Sequence, residues 1–188
     1  MRQDADATGV YTIRIEAPEN RSLPALLASQ LRQVLLRLNR VEAAKKLAQR
    51  GLRALAGFAK ALKVKFKDIE VGIDYDAEPG LADNGDLEVD LTSLLESVGL
   101  AAQNAGSAVI LFIDELQYIE SKEFAALISA LHRCAQKLPL TVVGAGLPQW
   151  RALAGEAKSY AERLFDYPTV GPLPAPESEL AIVKPARA

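Results

Sequence analysis

The segment Val10-Tyr11-Thr12-Ile13-Arg14-Ile15-Glu16 alternates large apolar and polar residues and stops at Pro18, which predicts a strand. From Leu23 the period lengthens. Apolar residues recur at Leu27, Leu31, Val34, Leu35 and Leu38, with Ser22 as candidate cap and Pro24 tolerated in the first turn, so an amphipathic helix follows. A second helical stretch, rich in Ala, Leu, Lys and Arg, runs from after Asn39 to about Leu62. Gly51 and Gly57 are its weak points, since glycine in a helix interior costs about 1 kcal/mol relative to alanine. Val64-Lys65-Phe66 and the run Ile69 to Tyr75 alternate on either side of Lys67-Asp68, predicting a β-hairpin insertion over residues 64–75. Pro79, Gly80, Asn84 and Gly85 make residues 77–86 a loop that composition reads as mobile. Helical spacing resumes at Leu91, Leu94, Leu95, Val98 and Leu100, and Asn104-Ala105-Gly106 is its stop signal.

Ala108-Val109-Ile110-Leu111-Phe112-Ile113 is a continuous apolar run ending at Asp114-Glu115, the pattern of a strand buried on both faces of a parallel sheet. Phe124 to Gln136 is helical, and Leu140-Thr141-Val142-Val143-Gly144-Ala145-Gly146 reads as a second buried strand. The three pieces form a β-α-β unit, so the expected class is α/β with a parallel sheet. A helix from Gln149 to Phe165, the segment Thr169-Val170-Gly171-Pro172-Leu173 and a helix near Glu177 to Val183 complete the chain.

Composition narrows the functional classes. With 188 residues, 49% of them hydrophobic, the chain fits one domain with a sizeable core. Twenty-two basic and 24 acidic residues leave a net charge of −2, so no overall basic field draws nucleic acid or anionic membrane. The basic residues of the second helical stretch read as a solvated face, with polyanion binding the alternative. No apolar run approaches the roughly 18 residues a bilayer span needs, and the first residues lack a signal-peptide stretch, which predicts a cytoplasmic protein without membrane contact. Cys134 falls on a packed helical face, as a structural thiol does. A lone His132 gives neither a zinc set nor a hydrolytic triad with Ser107, Ser129 or Ser159.

The informative chemistry is Asp114-Glu115. Open α/β folds bind ligands at the carboxyl ends of their strands, where this pair falls. One carboxylate there can hold Mg²⁺ against phosphate oxygens, and its neighbour can orient or deprotonate an attacking water. The alternative is that the pair caps the next helix through its dipole, a task for which Ser121 lies closer.

Val109-Ile110-Leu111-Phe112-Ile113-Asp114-Glu115-Leu116-Gln117 resembles the Walker B strand of AAA-like P-loop ATPases, particularly the prokaryotic group akin to STAND and origin-recognition ATPases. Thr141 to Pro148 resembles that group's sensor 1 strand, Tyr160-Ala161-Glu162-Arg163-Leu164-Phe165 its arginine-bearing segment, and Val170-Gly171-Pro172-Leu173 its final core strand. The resemblance implies an α/β, P-loop NTPase-type (AAA-like) parallel sheet flanked by helices, with the hairpin as an insertion and residues 174–188 as the start of a lid. It implies ATP and Mg²⁺ as cofactors, Asp114 as the metal ligand, Glu115 as the catalytic base and Arg163 as a catalytic arginine finger or sensor. Gln117 would contribute a polar group near the γ-phosphate, or else pack at the helix entry; Arg163 would otherwise pair with Glu162 or Asp166. The family commonly has a polar residue at sensor 1, and this chain has Gly144-Ala145-Gly146, which puts that contact in doubt.

The phosphate-gripping motif Gly-x-x-x-x-Gly-Lys-[Ser/Thr] is absent: no glycine of this chain is followed by Lys-Ser or Lys-Thr. In the resembled family that loop precedes the strand similar to Val10 to Glu16. The expectation is therefore an ATPase core over residues 1–188 lacking its first strand and Walker A segment, inactive as given. Truncation and evolutionary loss both account for this, and loss would leave a non-catalytic scaffold or protein-interaction module. Expected partners are ATP and a protein, another copy included; nucleic acid would be reached through further domains.

Overall fold

The computed structural model describes residues 9–17, 22–65, 75–134, 136–147, 155–156, 158–159 and 161–186. Three strands, β1 (Tyr11–Glu16), β2 (Val109–Asp114) and β3 (Leu140–Gly144), form a parallel sheet in the order β1-β2-β3. Ile13 lies beside Leu111, Leu111 beside Val142, and Glu16 beside Asp114. Helices α1 (Leu23–Leu38), α2 (Lys45–Lys65) and α3 (Leu87–Asn104) occupy the connection from β1 to β2. Helix α4 (Ser121–Cys134) joins β2 to β3, and α5 (Ala161–Leu164) and α6 (Ala175–Ala186) follow. The α/β class with a parallel sheet is as the alternating pattern predicts.

Parallel neighbours require crossovers, and right-handed crossovers stepping the same way across a sheet lay their helices on the same face. Both crossovers here step the same way. Accordingly Ile13, Ile15, Val109, Leu111, Ile113 and Leu140 are buried, whereas Arg14, Glu16, Asp114, Thr141 and Val143 are exposed and Ile110 and Phe112 half-buried. This corrects the expectation of strands buried on both faces. An apolar run records hydrophobicity without saying which face a neighbour covers.

The covered face packs against Leu27, Leu31 and Leu35 of α1, Leu52 and Leu55 of α2, and Leu91, Leu94 and Leu95 of α3, all at most 1% exposed. Each such leucine contributes about 1.5–3 kcal/mol by leaving water. Leu100, expected on the same stripe, is exposed. Asp86 caps α3, its carboxylate accepting the N–H groups of Glu88 (2.9 Å) and Val89 (3.2 Å). At the other end Gly106 takes φ 65°, and the N–H of Ser107 reaches the carbonyl of Ala102 at 3.0 Å, the expected stop.

Several local expectations are corrected. Residues 39–44 form turns, so α2 begins only at Lys45. It continues through Val64 and Lys65, which were expected in the first hairpin strand, because extending an existing helix is cheap and three alternating residues cannot oppose it. The rest of the hairpin, residues 66–74, lies outside the described residues. The loop read as mobile is tied down: Asp90 accepts the N–H groups of Asn84 and Gly85, each at 2.9 Å, and Arg53 pairs with Glu78 at 3.3 Å. The expected helix from Gln149 to Phe165 falls largely outside the described residues, with Ala161–Leu164 helical and Phe165 beyond it. Val170 to Leu173, expected as a final core strand, is irregular and exposed, Val170 at 93%. Pro172 lacks an N–H for a ladder, and Gly171 gives little to pack.

Candidate functional site

Strand period 2 places Asp114 at the carboxyl end of the central strand, on the open face of the sheet. Its carboxylate Oδ1 accepts the N–H of Glu115 at 2.9 Å. Glu115 then turns the chain out of the sheet in the left-handed conformation, φ 57° and ψ 42°, which costs a non-glycine residue about 1–3 kcal/mol. A single 3₁₀ turn follows, Leu116–Tyr118.

Contacts to the β3 exit hold this strained turn in place. The N–H of Leu116 donates to the carbonyl of Ala145 at 3.0 Å, and the N–H of Ala145 donates to Ile113 at 2.8 Å. Gln117 spans the gap: its Nε2 donates to Glu115 Oε2, and its Oε1 accepts the N–H of Leu147 at 3.3 Å. Leu116, 4% exposed, lies over the glycines of β3 and its exit. A Cβ at Gly144 would stand 2.5 Å from Leu116 Cδ1, and one at Gly146 would stand 3.2 Å from Gln117 Oε1. Glycines at 144 and 146 permit this close packing of Leu116 and Gln117 on the β3 exit.

The structure therefore brings Asp114, Glu115 and Gln117 together. It also excludes the helix-cap alternative for the acids: α4 begins at Ser121, and the first-turn N–H of Phe124 goes to the Glu120 carbonyl at 2.9 Å. Arg163 is exposed on α5, which packs against α4 through Ala161 and Leu164. Among the described residues no hydrogen bond or ion pair joins Arg163 to Asp114, Glu115 or Asp166. Glu16 is the residue that sequence reasoning missed. It lies beside Asp114 in register, also exposed, so two carboxylates share the open carboxyl edge. The signal was available in the parallel order of the strands, which aligns their carboxyl ends.

Among the described residues no group of three or more His, Cys, Asp or Glu side chains converges on a metal position. That donor set still fits Mg²⁺, which is held by one or two carboxylates with substrate phosphates and water completing the octahedron. Asp114 offers its second carboxylate oxygen, and Glu16 lies alongside.

Other titratable groups lie elsewhere. A cavity of about 400 Å³ is lined by Phe58, Leu62, Asp86, Glu88, Glu120 and Glu123, away from Asp114. Glu123, 4% exposed, accepts the N–H of Leu23 at 2.9 Å and so ties the first turn of α4 to that of α1. Burial raises its pKa, with the Leu23 hydrogen bond acting against the rise. Ser22, the expected cap of α1, makes no side-chain cap bond: Pro24 at the second helical position has no N–H to donate, and the N–H of Leu23 goes to Glu123. Cys134 is buried, and burial pushes its thiol up to about 11, as suits a structural thiol. Ser107 donates to the Gly9 carbonyl at 2.8 Å and so braces the entry to β1. No described helix is long and apolar enough to cross a membrane.

Fold and site together define a parallel α/β domain with a carboxylate pair at the exposed end of its central strand. Comparison with protein-family models, with curated proteins and with solved structures gives no match.

Proposed function

We propose that the chain is the Walker B-bearing part of an AAA-like, ATP-binding and ATP-hydrolysing domain of the P-loop class. The observation that carries this reading is the position of Asp114. It is the exposed last residue of the central strand, on the open carboxyl edge of a parallel sheet, immediately followed by a second carboxylate on a rigid turn. Ligands of open α/β sheets bind at that edge.

In this reading Asp114 holds Mg²⁺, with Glu16 beside it adding negative potential, and the bound metal would neutralise charge on the phosphates. Glu115 accepts the proton of the attacking water. Its backbone geometry is fixed by the ladder from Ile113 through Ala145 to Leu116, so its carboxylate is presented without a search over turn conformations. Arg163 sits on a separate element and is the candidate for stabilising charge on the transferring phosphoryl group.

The test uses the longest form that the gene encodes. Glu115→Gln should leave equilibrium binding of Mg²⁺-ATP in place while lowering single-turnover hydrolysis by about 10²- to 10⁴-fold. Unchanged hydrolysis in a protein that binds Mg²⁺-ATP removes Glu115 as the base. The 188-residue chain alone, without a phosphate-gripping loop, should hydrolyse ATP no faster than background.

A second reading, an interaction module built on an ATPase-like core, is favoured by the exposed Val170, Leu173, Leu180 and Ile182 near the carboxyl end. Sedimentation of the chain over a range of concentrations separates the two. Self-association without any Mg²⁺-ATP binding in the longest form would favour the module.

A further inference from the structure

We infer that Gln117 is a positioning residue that couples the Glu115 carboxylate to the exit of β3, so that the state of the site is communicated to Leu147. Its role in regulating catalysis rests on the reading of Asp114 and Glu115 as a Mg²⁺-ATP site; the coupling itself does not.

Gln117 is the only side chain among the described residues whose amide bridges these two segments, and both of its ends are engaged. Nε2, a donor only, meets the Glu115 carboxylate; Oε1, an acceptor only, takes the backbone N–H of Leu147. The two bonds share one rigid amide plane. Anything that draws the Glu115 carboxylate away, such as a water to be deprotonated or a cation at Asp114, removes the partner that orients the amide and so loosens the bond at Leu147.

The backbone around this bridge is fixed, which makes the amide the part free to respond. Leu116 is held to Ala145, and Ala145 to Ile113, by main-chain bonds of 3.0 and 2.8 Å. The glycines at 144 and 146 let Leu116 and Gln117 approach so closely that a Cβ at either position would intrude on them. Leu147, 49% exposed, lies on the irregular exit three residues beyond the end of β3. Gln117 thus acts on the reacting groups through Glu115 and need not touch a phosphate, a role different from the γ-phosphate contact that the family resemblance implies.

The test is amide hydrogen exchange read by NMR on the full 188-residue chain, with no nucleotide and no metal. Gln117→Ala should speed exchange at Leu147 by about 2- to 10-fold, the protection one hydrogen bond confers. Glu115→Ala, which leaves Leu147 and Gln117 chemically unchanged, should speed it by a similar factor, and the double variant should be no faster than either. Exchange at Ala145 should remain slow in all three, showing that the turn is still built. A Leu147 amide that ignores Glu115→Ala, that responds to it equally in the Gln117→Ala background, or that is already unprotected in the parent chain overturns the coupling. Failure of Mg²⁺-ATP to bind the longest form would instead sink the proposed function and leave the exchange result standing.

Discussion

Gly51 and Gly57 of α2 provide a test in which helix propensity and tertiary packing demand opposite outcomes. Propensity alone says that alanine at either position stabilises the helix by about 0.8–1 kcal/mol. The structure separates them. A Cβ at Gly57 would stand 2.6 Å from the backbone carbonyl oxygen of Leu81, and 3.3 Å from Asp83 Cβ. That carbonyl cannot retreat easily, because Ala82 is fully buried at φ 58° and the adjoining N–H groups of Asn84 and Gly85 are bound to Asp90. Overpacking of this kind costs about 1–3 kcal/mol, and releasing one of the loop's bonds to a carboxylate about 1.5–3 kcal/mol. At Gly51 the intruding atom is Leu35 Cδ2, also at 2.6 Å, but it is the end of a side chain with rotamers to explore. We expect Gly57→Ala to lose about 1–2 kcal/mol net and Gly51→Ala to fall within about 1 kcal/mol of the parent. Equilibrium urea unfolding followed by circular dichroism at 222 nm measures both. A Gly57→Ala variant as stable as the parent, or a Gly51→Ala variant that loses more, would refute the packing argument.

Glu123 has a folded pKa raised above its ordinary value of 4.5, chiefly by burial. Above 4.5 the folded state therefore holds this proton longer than the unfolded chain does, and stability falls as pH rises through the folded pKa. Glu123→Gln keeps an acceptor for Leu23 and removes the charge, so urea midpoints taken upward from pH 4.5 should decline less than the parent's; parallel curves would show that Glu123 is not responsible. Cys134, with its thiol at about 11 and no exposed surface, should react with a disulfide reagent at pH 8 only when urea unfolds the chain. Labelling of the folded protein as fast as that of a small free thiol would show the packing around α4 to be open.

The α/β class was legible in the sequence because hydrophobic period is a local property: alternation in β1, 3.6-residue spacing in α1 and α3, and an unbroken apolar run in β2 each report on neighbours a few residues away. The placement of Asp114 and Glu115 at the carboxyl end of a strand was legible for the same reason, since the end of an apolar run marks the end of a strand. Other features depended on residues far apart in the chain. Glu16 joins Asp114 only because β1 and β2 pair in register across 98 positions. Gln117 reads as either a polar group near a γ-phosphate or a helix-entry residue until β3 brings Leu147 to it, and the glycines of α2 and β3 read as weak or missing positions until Leu81 and Leu116 are seen against them. Which face of the sheet α1 to α4 cover was likewise decided by tertiary structure, because handed crossovers that step one way lie on one side. Composition sets how much apolar surface exists; the order in which strands pair decides where it goes.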